Sequence, residues 1–196
     1  MSKQNRFVRH SAIAAGILIS ALFPFRAIAE DAPPQVTVHR QQAGEFDAKG
    51  WTTARSTEGD FSVRMPAKFN DVSFADSTGN APAAKMFTVG GQSTDGMKLS
   101  ASRIVYRKSG TAKELFEKSA LGTGEPSPLT PPKRFVFHGL PALDVSSANS
   151  SSIEFTRSVL VGEQVIVLTV ESAIADGAVA KVLASKFFDS LVVSRK

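Results

Sequence analysis

The sequence predicts an α+β protein built on a largely antiparallel sheet with helices packed on it. Three observations predict it. Apolar residues recur mostly at every second position from Trp51 onward. The strand-like runs come in neighbouring pairs with turn residues between them. Only two segments have helical spacing, and each stands alone after a run of strands. The same grounds argue against a doubly wound dinucleotide fold, because parallel neighbours need a long crossover between them.

The elements follow in order. Glu30 to Gly50 is polar and carries the adjacent prolines Pro33 and Pro34, so a flexible leader is expected there, with a short extended piece at Val36-Thr37-Val38. The domain is expected to run from Trp51 to Lys196. Trp51 to Ser56 reads as a first strand, and the turn Glu58-Gly59-Asp60 leads into a second, Phe61 to Met65. There Phe61, Val63 and Met65 alternate with Ser62 and Arg64, and Pro66 ends the pairing by removing a donor. Phe69 to Ala83 reads as loop, punctuated by Gly79 and Pro82. Lys85 to Val89 and Met97 to Tyr106 flank GGQSTDG as a hairpin with a long turn.

Thr111-x-x-Glu114 fits a capping box at the start of a helix. Ala112, Leu115, Phe116 and Ser119 form its small or apolar stripe, and Gly122 is a natural stop. The link GEPSPLTPPK holds too much proline for a helix or a central strand. Arg134 to Phe137 and Ala142 to Ser147 flank the turn HGLP, and Ile153 to Val161 and Gln164 to Val170 flank Gly162-Glu163, which has the glycine-first order of a type II′ turn. VIVLTV (Val165 to Val170) is apolar on both sides and predicts a central strand covered on both faces. A final helix is expected from an Asp176 cap through Phe188, with Val179, Val182, Leu183 and Phe187 facing inward and Leu191 to Val193 docking after it.

The N-terminus has a different grammar. Lys3, Arg6 and Arg9 precede the uncharged run Ser11 to Phe25, and Ala27-Ile28-Ala29 supplies a small-x-small site before Glu30. This order of parts predicts a Sec-type secretory signal peptide cleaved between Ala29 and Glu30, hence a periplasmic or secreted protein of 167 residues, long enough to bury its own core. Contact with a membrane is expected only through this segment, if it stays attached.

Cleavage also resets the charge. Of 23 basic residues, Lys3, Arg6, Arg9 and Arg26 leave with the signal and no acid does, so 19 basic residues face 18 acidic ones. A chain so nearly neutral has nothing to set against a row of phosphates, and nucleic acid is discarded as a partner. There is no cysteine. That excludes disulfides, a thiol nucleophile, a thiolate metal site and a lipid-modified cysteine after the signal.

The patterns that carry chemistry are missing. Only His39 and His138 remain after the signal, without H-x-x-x-H spacing, so no metal site and no cofactor are expected. Asp71, Asp76 and Asp95 lack calcium-loop spacing and read as solvated loop acids. There is no G-x-S-x-G, and Gly122-Thr123-Gly124 follows a helix where a phosphate loop would precede one. No catalytic residue is assigned. Two arginines stand out instead. Arg103 shares a strand face with Met97, Leu99, Ala101 and Val105, and Arg157 shares one with Ile153, Phe155, Val159 and Val161. A buried guanidinium needs a carboxylate or several carbonyls. Either the two reach one cleft and bind an anionic ligand or partner group, or each is held internally, with Asp144, Glu154 or Glu171 as candidate partners.

The order of the pieces resembles the PsbP-like family. The likeness rests on Phe61-x-Val63-x-Met65-Pro66, Gly139-Leu140-Pro141-Ala142, the hairpin Arg157 to Val170 around Gly162-Glu163, and Phe187-Phe188-Asp189-Ser190-Leu191. It spans roughly Trp51 to Val193, while the long Pro-rich link and the short first segment depart from the family pattern. The resemblance implies an α/β/α sandwich around a central antiparallel sheet. It also implies a binding or assembly role without catalysis, and no functional residue transfers with it. The function expected is therefore a non-catalytic exported protein that binds a protein partner or a small ligand. The alternative is a cofactor-free periplasmic hydrolase or lyase whose acids meet only in space.

Overall fold

Period-two patterning becomes two antiparallel sheets. The computed structural model describes residues 34–76, 79, 82–120 and 128–194. The signal segment with Ala27, Ala29 and Glu30 lies outside the described residues, as does Gly122. In chain order the strands are β1 (Gln35–Ala43), β2 (Thr52–Arg55), β3 (Phe61–Met65), β4 (Phe69–Ala75), β5 (Ala83–Gln92) and β6 (Lys98–Tyr106), then β7 (Lys133–Phe137), β8 (Leu140–Ala148), β9 (Ser152–Val161), β10 (Gln164–Ala173) and β11 (Val192–Val193). The helices are α1 (Thr111–Ala120) and α2 (Gly177–Asp189). Eight strands form the main sheet in the order β1-β4-β5-β6-β10-β9-β8-β7, and β11-β3-β2 form a smaller one. Every strand pair is antiparallel.

The hairpin turns follow their residues. His138 and Gly139 both have positive φ, 48° and 81°, the type I′ pattern whose twist suits a two-residue loop. Gly162 has φ 58° while Glu163 does not go positive, as a type II′ turn requires.

β10 lies between β6 and β9 and is covered on both faces, as VIVLTV predicts. Ile166, Leu168 and Val170 are fully buried on one side, in the main core with Phe61, Val63, Met65 and Phe187. α2 and the small sheet close this side together, so the layer is part helix and part sheet. Val165, Val167 and Thr169 point to the other side, where α1 packs over β6, β9 and β10.

Three local expectations change. Gln35–Ala43, expected as a flexible leader with only a short extended piece at Val36–Val38, is a nine-residue edge strand paired with β4, so regular structure begins well before Trp51. Its register shifts twice, between Val38 and Arg40 and between Arg40 and Ala43, and one side has no neighbouring strand. A bulged, half-exposed edge tolerates the polar HRQQ that reads as loop by composition. Phe69–Ala75, expected as loop, is β4, and Asp71 is fully buried within it. Arg40 Nε (3.2 Å) and Nη2 (2.8 Å), with the Thr57 amide (2.9 Å) and hydroxyl (2.6 Å), all donate to Asp71 Oδ2 and make that burial tolerable. The side chain of Asp76 is likewise buried, against Arg107 at 2.8 Å, whereas Asp95 is exposed.

The third change is in α2. Its buried residues are Ala180, Ala184, Phe187 and Phe188, while Val179 and Val182 are 61% and 59% exposed. Small residues let the helix lie close to the sheet, and a Cβ on Gly177 would stand 3.4 Å from Ile153. Asp176 precedes the helix but makes no side-chain cap bond: the chain enters through a 3-10 turn, Ile174–Asp176, and Asp176 is not in the extended conformation that aims a capping carboxylate.

Candidate functional site

Arg103 and Arg157 both project from the main sheet toward the α2 side, since Ile166 pairs with Arg103 and Leu168 with Arg157. They do not converge on one cleft. Arg103 Nη1 donates to the Gly59 carbonyl at 2.8 Å and lies 3.9 Å from Asp60 in the β2–β3 turn, while its Nε donates to Gln164. Arg157 is 7% exposed and forms a fork with Asp144: Nε to Oδ1 at 2.7 Å and Nη2 to Oδ2 at 2.9 Å. Its Nη1 donates to Asp189 at 2.7 Å. The guanidinium also stacks on Phe135, Phe137 and Phe188, with 4.8–5.2 Å to the ring centroids. Burial opposes its charge, but the bonds to Asp144 and Asp189 outweigh that and hold the pKa above the ordinary arginine value. Three of its five N–H donors are spent on the carboxylates of Asp144 and Asp189. Its work here is to join β8, β9 and the C-terminus of α2.

The opposite face holds a cavity of about 440 Å³ between α1 and strands β6, β9 and β10. Strand register arranges its floor in rows. Glu154 stands opposite Glu171 at one end. Next comes Thr156, Thr169 and Ser100, then Ser158, Val167 and Ser102, then Val165 beside Ile104. The floor thus passes from carboxylate through hydroxyls to hydrocarbon. Leu115, Phe116 and Ser119 of α1 form the roof, on the stripe that helical spacing predicts. The start of α1 is tied to the β9–β10 turn by the Gly110 amide, which donates to Glu163 at 2.6 Å. Ser102 shares a hydrogen bond with Thr88 at 2.9 Å, and the Thr156 hydroxyl donates to Glu154 at 3.0 Å.

Electrostatics sets Glu154 apart. Burial pushes its carboxyl above the ordinary glutamate range; the Thr156 hydrogen bond opposes the rise and the charge of Glu171 adds to it. Glu171 itself is engaged by Lys98 at 3.2 Å. At the hydrocarbon end, burial pushes the Tyr106 hydroxyl up to about 12, so Tyr106 is neutral at any physiological pH. Among the described residues, no group of three or more His, Asp or Glu side chains could hold a metal ion, and no helix is long and apolar enough to cross a membrane.

Nothing in the sequence singles out Ser100, Ser102, Thr156 or Ser158, and Glu154 figures there only as a candidate partner for a buried arginine. The usable signal was VIVLTV: a strand covered on both sides obliges its neighbours to be covered too, so their hydroxyl-bearing faces had to lie beneath something.

No family model and no curated protein matches the chain. Among solved structures it is similar to PsbP (CyanoP) from the cyanobacterium Synechocystis sp. PCC 6803, at 10% identity and a TM-score of 0.49 over 78% of this chain and 98% of that one. It is also similar to LpqN, involved in cell envelope biogenesis of Mycobacterium tuberculosis, at 7% identity and a TM-score of 0.41 over 86% of this chain and 88% of that one. Likenesses this distant concern the path of the chain and carry nothing about ligand or role.

Proposed function

We propose that this chain is an exported, non-catalytic binding protein whose cavity beneath α1 holds a small amphipathic molecule. The observation that carries the reading is the graded floor: one carboxylate, two rows containing hydroxyls, then Val165 and Ile104, with Phe116 in the roof. A cavity of this size with its carboxylate at one end suits an elongated ligand with one strongly polar terminus. Export rests on the signal-like N-terminus. A two-carboxylate hydrolase is the weaker reading, because Glu154 lines the cavity while Glu171 does not and is paired with Lys98.

The test is titration of the purified domain with N-phenyl-1-naphthylamine, an uncharged dye that brightens in apolar surroundings. Saturable binding at one site is expected in the parent. Ser158→Leu, which places a bulky side chain in the middle of the floor, should abolish it while leaving the thermal melt cooperative. No saturable binding, or equal binding by the filled variant, overturns the reading.

A further inference from the structure

We infer that the ligand carries a cationic head, an ammonium seated against Glu154, with its apolar body lying toward Val165, Ile104 and Phe116. This rests on the cavity being a ligand site and specifies what it selects.

Three observations lead there. First, among the described residues Glu154 is the one formally charged side chain lining the cavity, and no lysine, arginine or histidine lines it. An anionic head would be repelled by Glu154 and would find no cation among the described lining residues to answer it. Second, the residue directly across the strand pair from Glu154 is another carboxylate, Glu171; Lys98 engages it at 3.2 Å, yet its charge still adds to the burial that opposes an ionised Glu154. A bound cation relieves what burial and Glu171 impose on Glu154, and a neutral polyol does not. Third, the donors and acceptors match. An ammonium has three N–H donors and no acceptor, and the polar end offers the Glu154 carboxylate and the hydroxyls of Thr156, Thr169 and Ser100 as acceptors. Thr156 already donates to Glu154, which leaves its oxygen lone pairs free to accept. Head and tail positions then follow from register, since the hydrocarbon row lies on the far side of the two hydroxyl-bearing rows.

Displacement of the bound dye by octylammonium, octanol and octanoate near neutral pH separates the possibilities. Octylammonium should bind about tenfold more tightly than octanol, equivalent to about 1.4 kcal/mol, and octanoate more weakly than either. In Glu154→Gln the ratio of octylammonium to octanol affinity should fall to about one. The ordering in the parent is a test in its own right, independent of how well the variant folds. Equal affinity for octylammonium and octanol, tightest binding by octanoate, or a preference for octylammonium that survives in Glu154→Gln overturns the cationic head and leaves the binding reading standing. Failure of all three to displace the dye overturns the binding reading itself.

Discussion

The two faces of β10 differ as packing differs from recognition. On the α2 face Ile166, Leu168 and Val170 are fully buried, and both arginines beside them are partnered: Arg103 by the Gly59 carbonyl and Gln164, and Arg157 by two carboxylates and three aromatic rings. On the α1 face Val165, Val167 and Thr169 border a cavity, and the charge beside them, Glu154, is opposed by burial and by a neighbouring carboxylate. Both strand faces are covered, yet only one is filled. A buried charge that the protein satisfies belongs to the fold; one that it leaves strained beside open volume marks a place for something else.

The sharpest way to break this comparison is to truncate β10 on each side in turn. Leu168→Ala removes a fully buried side chain from the filled face, and about 2–5 kcal/mol of stability should go with it. Val167→Ala, on the cavity face, should cost about 1 kcal/mol or less, because the space it vacates adjoins space already open. Urea denaturation of both variants measures the difference. Equal losses would mean that the cavity face is packed as the other one is, and the contrast would fail.

Arg157 sharpens the comparison next. Arg157→Ala strands Asp144 and uncovers three rings, and about 2–4 kcal/mol should be lost; the cost stays below that of a wholly buried pair because the Asp144 and Asp189 side chains are 33% and 60% exposed. Asp189→Asn should cost less than about 1 kcal/mol, since its end of the pair is well solvated. If Arg157→Ala melts like the parent but changes dye binding, Arg157 belongs to recognition and the assignment of the two faces is reversed.

How much of this the sequence shows depends on whether local pattern or distant partners decide an element. Phe61 to Met65, the β9–β10 hairpin and the α1 stripe are legible because alternation, turn glycines and helical spacing are properties of neighbouring residues. β1 and β4 are not, because Arg40 and Asp71 look like loop residues until Asp71 is paired across 31 positions with Arg40 and with Thr57. The inward stripe of α2 is misread for a related reason: hydropathy favours Val179 and Val182, but the closeness of helix and sheet selects Ala180 and Ala184. The cavity is legible only indirectly, since no single strand reveals that its hydroxyl-bearing face is roofed.

The smallest expected effect concerns Glu154 and is identified by its pH dependence. The charged groups in its cross-strand row are Glu171 of β10 and Lys98 of β6, neither of which lines the cavity; Tyr106 lines it and stays neutral, and the α1 residues above, Leu115, Phe116 and Ser119, carry no charge. Its pKa in the folded chain lies above the ordinary glutamate range, so across that window the folded state holds more proton than the unfolded state. Stability therefore falls as pH rises through the window and stays reduced above it; below the ordinary range both states are protonated and nothing is lost. Glu154→Gln removes the titration. Near neutral pH the variant should melt higher than the parent, and the gap should close as the pH is lowered through the ordinary glutamate range. A gap that does not change with pH, or a parent that melts higher at neutrality, would show that Glu154 is satisfied within the fold like Arg157. Saturating octylammonium turns the same experiment around. The ligand stabilises the ionised carboxylate, so in its presence the parent should recover the deficit near neutral pH and the variant should gain little.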